Sequence, residues 1–299
     1  NMFKIENRWK HYADSVKIEW NLGKRCNLDC TYCPAEIHDN FSPHTRLDKL
    51  MHTVDKIAKL QNARISFTGG EPTVHPAFEK LLEYARSKIK WLSVTTNGTR
   101  TLDFYERIPV NYIVFSLHFE DPHWKRRLQT VLDFATSIES MPNPKDFHIA
   151  LMAHQDYMPE VKHAASFLTG FNIPFTVRRI RWTERHDWFN DLKYNQQDLD
   201  WILKVNATAD ANTLIDDFEL AHANDVIKQH RNKFKDWNCK AGIESLMINW
   251  DGEVHRATCR VGGSLGNIYE GTFERPEDPI VCTREWCTCA ADVNITKWK

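Results

Sequence analysis

The sequence predicts an α/β protein: a partial, TIM-like barrel of six β/α repeats with a small C-terminal domain of β-hairpin and helix. Three observations predict it. Six short β-rich runs alternate with helical patterns between residue 16 and about residue 180. Strand alternation sorts their side chains into one polar and one apolar face. Side chains able to do chemistry gather at the C-terminal ends of the runs, where β/α barrels carry their active sites. Six repeats imply parallel strands joined by right-handed crossovers and are too few to close an eight-stranded barrel.

The strands are expected at 16–21, 64–68, 91–96, 112–118, 147–153 and 174–180. Leu47, Leu50, Met51, Val54, Ile57 and Ala58 recur at helical spacing, as do Phe78, Leu81, Leu82 and Ala85, and then Trp124, Leu128, Val131, Leu132 and Ala135. Pro159 near its start and Gly170 just past its end frame a helix over 159–169. One strand face carries Glu19, Asn21, Ser66, Thr68, Ser93, Thr95, Asn97, Ser116, His118, His148, His154, Thr176 and Arg178, and is expected to line the lumen. The other, with Ile18, Trp20, Ile65, Phe67, Ile113, Phe115, Ile149, Leu151, Phe175 and Val177, is expected to pack under the helices. A polar lumen implies a substrate with hydrogen-bonding groups, although some of these side chains will satisfy one another.

Composition narrows the class. The chain has 299 residues, 42% of them hydrophobic, enough for one large domain and a small one. No apolar run approaches the ~20 residues of a membrane span, and no signal-peptide pattern opens the chain. Eight cysteines without a secretory signal indicate a reducing, cytoplasmic setting and metal ligation rather than disulfides. A net charge of −1 lacks the basic footprint of a nucleic-acid binder.

The densest chemical signal is Cys26-Asn27-Leu28-Asp29-Cys30-Thr31-Tyr32-Cys33, just after the first strand. Three thiolates are one short of a closed four-cysteine site, so a [4Fe–4S] cluster held here keeps one iron without a protein ligand. A zinc half-site is the alternative. Gly69-Gly70-Glu71-Pro72 follows the second strand about forty residues later, its glycines suited to close backbone approach. Cys-x3-Cys-x2-Cys with an aromatic before the third cysteine, together with Gly-Gly-Glu-Pro in this order, resembles the signature of the radical S-adenosylmethionine (SAM) enzymes.

That resemblance implies a [4Fe–4S] cluster on Cys26, Cys30 and Cys33. Its open iron would chelate SAM, and an electron would cleave SAM to a 5′-deoxyadenosyl radical that abstracts hydrogen from a substrate. It further implies SAM contacts from Tyr32, Gly69, Gly70, Glu71, Asn97 and Ser116. His118 stands where related enzymes commonly carry aspartate. Arg127, preferred over Arg126 on spacing, is expected to meet the SAM carboxylate. Arg178, alone of the cluster Arg178, Arg179, Arg181 and Arg185, points inward by alternation and is expected to bind SAM or a substrate carboxylate. Glu19 and His118 are the candidate bases.

Residues 1–181 are thus read as the barrel, 182–237 as a helical bridge with helices near 196–205 and 218–234, and 238–299 as the C-terminal domain. The bridge tryptophans Trp182, Trp188, Trp201 and Trp237 are expected to pack rather than touch cofactor. The last segment holds Cys239, Cys259, Cys282, Cys287 and Cys289 around a strand–Asp251-Gly252–strand hairpin. It resembles the SPASM or shorter twitch domains, which carry an auxiliary [4Fe–4S] cluster. Five cysteines suit one such cluster with one thiol left over, or a structural zinc site. An auxiliary cluster that accepts an electron implies a two-electron oxidation or crosslink of a small polar molecule or side chain. The alternatives are a peptide maturase or epimerase, and a non-catalytic iron–sulfur or zinc protein. About fifteen residues precede the first barrel strand, which favours a small molecule or a partner supplied in trans. The expected electron donor is a flavodoxin or ferredoxin, with neither membrane nor nucleic acid as partner.

Overall fold

The computed structural model describes residues 3–180, 194–207 and 211–299. After an N-terminal strand β1 (Lys4–Asn7), all six expected strands form: β2 (Val16–Asn21), β3 (Ala63–Thr68), β4 (Trp91–Thr96), β5 (Tyr112–His118), β6 (Asp146–Ala153) and β7 (Phe175–Arg179). They pair in chain order and all in parallel. The crossovers carry the helices Leu47–Ala58, Phe78–Arg86, Leu102–Arg107, Trp124–Ser137 and Met158–Gly170. Each lays its apolar stripe on the sheet: Leu50, Val54 and Ile57 from the first, Phe78, Leu81, Leu82 and Ala85 from the second.

The apolar strand face is the core. Ile18, Trp20, Ile65, Phe67, Ile113, Phe115, Ile149 and Leu151 are wholly buried there, each contributing roughly 1.5–3 kcal/mol relative to an exposed side chain. Phe175, on the outermost strand, is only half-buried.

The sheet curls. Five strand spacings separate Glu19 on β2 from Arg178 on β7, about 24 Å across a flat sheet. Yet Glu19 acts electrostatically on Arg178, as does Cys289. The polar face is therefore concave, and Cys289 of the C-terminal segment lies within electrostatic reach of it.

Beyond the bridge come β8 (Thr213–Ile215), β9 (Glu219–Ala221), β10 (Asn238–Cys239), β11 (Ser245–Ile248), β12 (Glu253–His255), β13 (Ser264–Asn267), β14 (Ile280–Val281) and β15 (Lys297–Trp298). The expected hairpin forms between β11 and β12, with Gly252 in the left-handed region at φ 89°. It does not stand apart. β11 pairs in parallel with β2, and β12 and β13 extend the same sheet to nine strands. The edge of β2 would otherwise expose unpaired backbone groups, and Ser245–Ile248 satisfies them. The phenolic oxygen of Tyr269 accepts from the indole N–H of buried Trp20 at 3.1 Å, fastening the segment to the core.

A second sheet, in the order β14-β10-β15-β1-β8-β9, joins the N-terminus, the bridge and the C-terminus. The three segments read along the sequence are thus interleaved in space. The helix expected near 218–234 is instead strand β9 followed by a short helix, Ala223–Lys228. Pairing with β8 overrides helical propensity there. The helix Gln196–Asn206 forms as expected, capped by the Asn195 side chain on the Asp198 N–H at 2.8 Å. Arg181, Trp182, Arg185 and Trp188 lie outside the described residues.

Candidate active site and the C-terminal cysteine cavity

The loop after β2 brings Cys26, Cys30 and Cys33 together. Burial raises all three thiols, Cys30 to about 12 and Cys33 to about 11; Cys26 and Cys33 raise Cys30 further, and Cys26 raises Cys33. Three soft sulfur donors that sense one another fit a cluster with one open iron, and loading it would release the thiol protons.

The Gly-Gly-Glu-Pro turn has a structural job of its own. A Cβ on Gly70, at φ 48°, would lie 2.2 Å from the Arg25 carbonyl oxygen, and one on Gly69 would lie 2.7 Å from Asn21 Cα. The backbone that comes close is the cysteine loop itself. The Glu71 N–H donates to the Arg25 carbonyl at 2.8 Å. The Glu71 carboxylate faces inward, accepting from the Thr73 N–H and hydroxyl, the Thr96 hydroxyl and the Asn97 N–H. Burial still raises its pKa. Its carboxylate holds the turn and the end of β4 in place.

Asn97 extends that linkage. Its amide nitrogen lies 2.9 Å from Asn27 Oδ1 and 3.6 Å from Cys26 Sγ, while its oxygen accepts from the Thr99 hydroxyl at 2.7 Å. The loop's other side is held by Glu120, whose carboxylate accepts from the Thr31 N–H and hydroxyl and pairs with His154 Nε2 at 2.8 Å. Sequence reading missed Glu120 and Asn27. Glu120 lies two residues past β5, the position in a β/α sheet that signals function.

His118 contacts the same loop: Nδ1 lies 3.7 Å from Cys30 Sγ, and it bonds the Tyr32 hydroxyl, whose ring stacks on the imidazole. Burial lowers its pKa to about 4, which leaves it neutral at pH 7. Ser116 is buried beside it on β5. Arg127 reaches back to buried Asp121, Nε to Oδ2 at 3.1 Å. That ion pair fixes its Nε at the rim; Arg126 is exposed on the same helix.

Arg178 lies apart from this rim. It is solvent-accessible on the concave face, and the surrounding walls lower its pKa through desolvation, against the fields of Cys289, Tyr112 and Glu19. His148 lies beside it and bonds the Thr176 hydroxyl at 2.7 Å; burial, then Arg178 and His222, lower its pKa to about 4. Ser93 donates to Ser66 at 2.9 Å. Part of the polar face is thus self-satisfied.

The C-terminal cysteines separate into four and one. Cys239, Cys259, Cys282 and Cys287 line one narrow cavity with Asp292 and Lys297. Cys289 is not among its lining residues; its field acts on Arg178 instead. Burial raises the thiols of Cys239, Cys259 and Cys287. Among the described residues, no three of the His, Cys, Asp and Glu side chains close around a single metal ion. Four soft donors around one cavity fit a polynuclear iron–sulfur group by donor chemistry.

Residues 20–145 match the family model described as Radical SAM superfamily, and they contain the three loop cysteines and the Gly-Gly-Glu-Pro turn. Over those residues the chain is similar to the radical SAM superfamily. Fe-coproporphyrin III synthase of Methanosarcina barkeri is 35% identical over 83 residues, 27% of this chain and 21% of that protein. The antilisterial bacteriocin subtilosin biosynthesis protein AlbA of Bacillus subtilis is 23% identical over 283 residues, 85% of this chain and 58% of that protein. The chain therefore spans less than two thirds of the length of these curated relatives. The solved structure of native anSMEcpe with bound AdoMet and Kp18Cys peptide superposes with a TM-score of 0.57 at 18% identity, covering 86% of this chain and 79% of that one. That likeness is one of fold. Among the described residues, no helix is long and apolar enough to cross a membrane.

Proposed function

We propose that the chain is a radical SAM enzyme that abstracts hydrogen from a polar group and oxidises or crosslinks the resulting radical. The observation that carries the reading is a polar sheet face with three converging thiols on its rim, together with four more thiols around one cavity in the C-terminal segment. Cys26, Cys30 and Cys33 would hold the SAM-binding [4Fe–4S] cluster. Cys239, Cys259, Cys282 and Cys287 would hold an auxiliary [4Fe–4S] cluster in a SPASM- or twitch-like segment set against a partial barrel. When bound, the first cluster supplies the electron that cleaves SAM to methionine and a 5′-deoxyadenosyl radical, and the second accepts an electron.

This chain's own residues would orient and deprotonate. Tyr32, Asn97, Ser116 and Arg127 border the loop where SAM would sit, and Gly69, Gly70 and Glu71 hold that loop. Glu19, on the concave face beside Arg178, is the base that would take the proton accompanying electron loss. His118 is the alternative base. Arg178 would bind a substrate carboxylate.

A peptide substrate is favoured by the relative that aligns along most of the chain, a bacteriocin biosynthesis protein, and by a fold neighbour solved with a peptide. A ferredoxin or flavodoxin would supply electrons. The test is anaerobic reconstitution followed by dithionite and SAM. We expect about eight irons per chain from two four-iron clusters, and release of 5′-deoxyadenosine. Replacing Cys26, Cys30 and Cys33 with Ala together should remove about half the iron and all cleavage. Continued cleavage by that triple variant would refute the assignment.

A further inference from the structure

Lys297 is a lysine with no surface: 2% of it is exposed. It stands on β15 directly opposite Cys239 on β10. Its Nζ reaches three carbonyl oxygens, those of Asp292 at 2.5 Å, Ile295 at 2.8 Å and Val293 at 3.3 Å. Three acceptors around one nitrogen require three N–H bonds, which the ammonium has and the neutral amine lacks. The ring of Phe234 lies 5.3 Å from the same atom. The geometry is that of a charge installed on purpose inside the protein.

Among the described residues no carboxylate forms an ion pair with the Lys297 Nζ; the acidic group in the cavity, Asp292, is engaged elsewhere. Lys297 lines the same cavity as Cys239, Cys259, Cys282 and Cys287. The Asp292 carboxylate accepts from the Cys259 N–H at 2.8 Å, and the acceptors of the Lys297 Nζ are backbone carbonyls. A buried charge without a partner is costly. Four thiolates on a [4Fe–4S] core would make the cavity anionic, and one more electron would make it more so. The ammonium answers that charge. Reduction potentials of such clusters follow net charge and hydrogen bonding around the sulfurs.

We propose that Lys297 is a positioning residue that supplies the buried positive charge for a cluster held by Cys239, Cys259, Cys282 and Cys287, favouring the cluster's reduced state. The inference rests on the auxiliary-cluster reading above. It assigns the redox setting of the electron acceptor to one side chain opposite one ligand.

The test uses the full chain with Cys26, Cys30 and Cys33 replaced by Ala, so that only the C-terminal site takes up iron. Redox titration followed by electron paramagnetic resonance compares Lys297, Lys297→Arg and Lys297→Met in that background. Lys297→Met should be harder to reduce by at least tenfold, a downward shift of about 59 mV for one electron. Lys297→Arg should stay within about threefold of the parent, since it keeps the charge. A Met variant whose potential matches the parent's would overturn the proposal. If Lys297→Met takes up no iron, retention by Arg with loss in Lys297→Gln supports the need for charge, whereas loss in all three variants makes the role steric and overturns it. Absence of iron from the parent itself would instead sink the auxiliary-cluster reading, and this proposal with it.

Discussion

Replacing Gly70 with Ala tests whether the Gly-Gly-Glu-Pro turn exists to seat the cysteine loop. Gly70 has φ 48°, and an added Cβ would lie 2.2 Å from the Arg25 carbonyl oxygen, 2.8 Å from the Lys24 carbonyl carbon and 2.9 Å from that of Arg25. All three are backbone atoms on the segment leading into Cys26, so no side chain can swing away. The left-handed backbone costs Ala about 1–2 kcal/mol. Overpacking adds about 1–3 kcal/mol. If the loop retreats, the 2.8 Å bond from the Glu71 N–H to the Arg25 carbonyl is lost as well, at about 1 kcal/mol. The sum is roughly 3–6 kcal/mol, which at about 2 °C per kcal/mol for a chain of this size lowers Tm by 6 °C or more if the clash is borne globally. If the loop moves instead, Tm is spared and the iron bound by Cys26, Cys30 and Cys33 is lost. Thermal melts followed by circular dichroism, with iron analysis on the same samples, read both. Gly23→Ala is the control, because nothing lies within 4 Å of a Cβ there. A Gly70→Ala protein with unchanged Tm and full iron would refute the close-approach argument.

Cys289→Ala should keep all its iron after anaerobic reconstitution, whereas Cys287→Ala should lose C-terminal iron, because only Cys287 lines the four-cysteine cavity; equal losses would show that Cys289 is a ligand. Stability should also fall in acid through His148. Its folded pKa of about 4 lies below the ordinary histidine value near 6.5, so between those values the unfolded chain binds the proton first. Stability from this group is therefore complete above about pH 6.5 and declines towards pH 4, by up to ~1.4 kcal/mol per pH unit. His118 shares the window, so the readout is the difference between wild type and His148→Gln in urea midpoint against pH. A slope that does not flatten in the variant would show that His148 takes up its proton in the folded state as readily as in the unfolded one.

What the sequence determined by itself were the features that repeat locally. Strand alternation and helical spacing are set by neighbours within a few residues, and β2 to β7 and four of their helices formed within a residue or two of expectation. The rim followed from the same logic, because the end of a strand is visible in the chain: Cys26, Glu71, Asn97 and His118 do meet there. Tertiary structure decided whatever depends on residues far apart in sequence. Gly70 makes room for the backbone of Arg25, because β2 and β3 lie side by side. The strand at 219–221 exists because β8 pairs with it. β11 joins the main sheet because the edge of β2 is open to it. The division of the C-terminal cysteines is of the same kind. Five thiols along sixty residues are equivalent on paper; the pairing of β10 with β15 and the seat of Asp292 beneath Cys259 gather four around a cavity with Lys297. Cys289 is left to act on Arg178, a residue more than a hundred positions away, because chain reversal through a second sheet is what brings the two ends of the protein together.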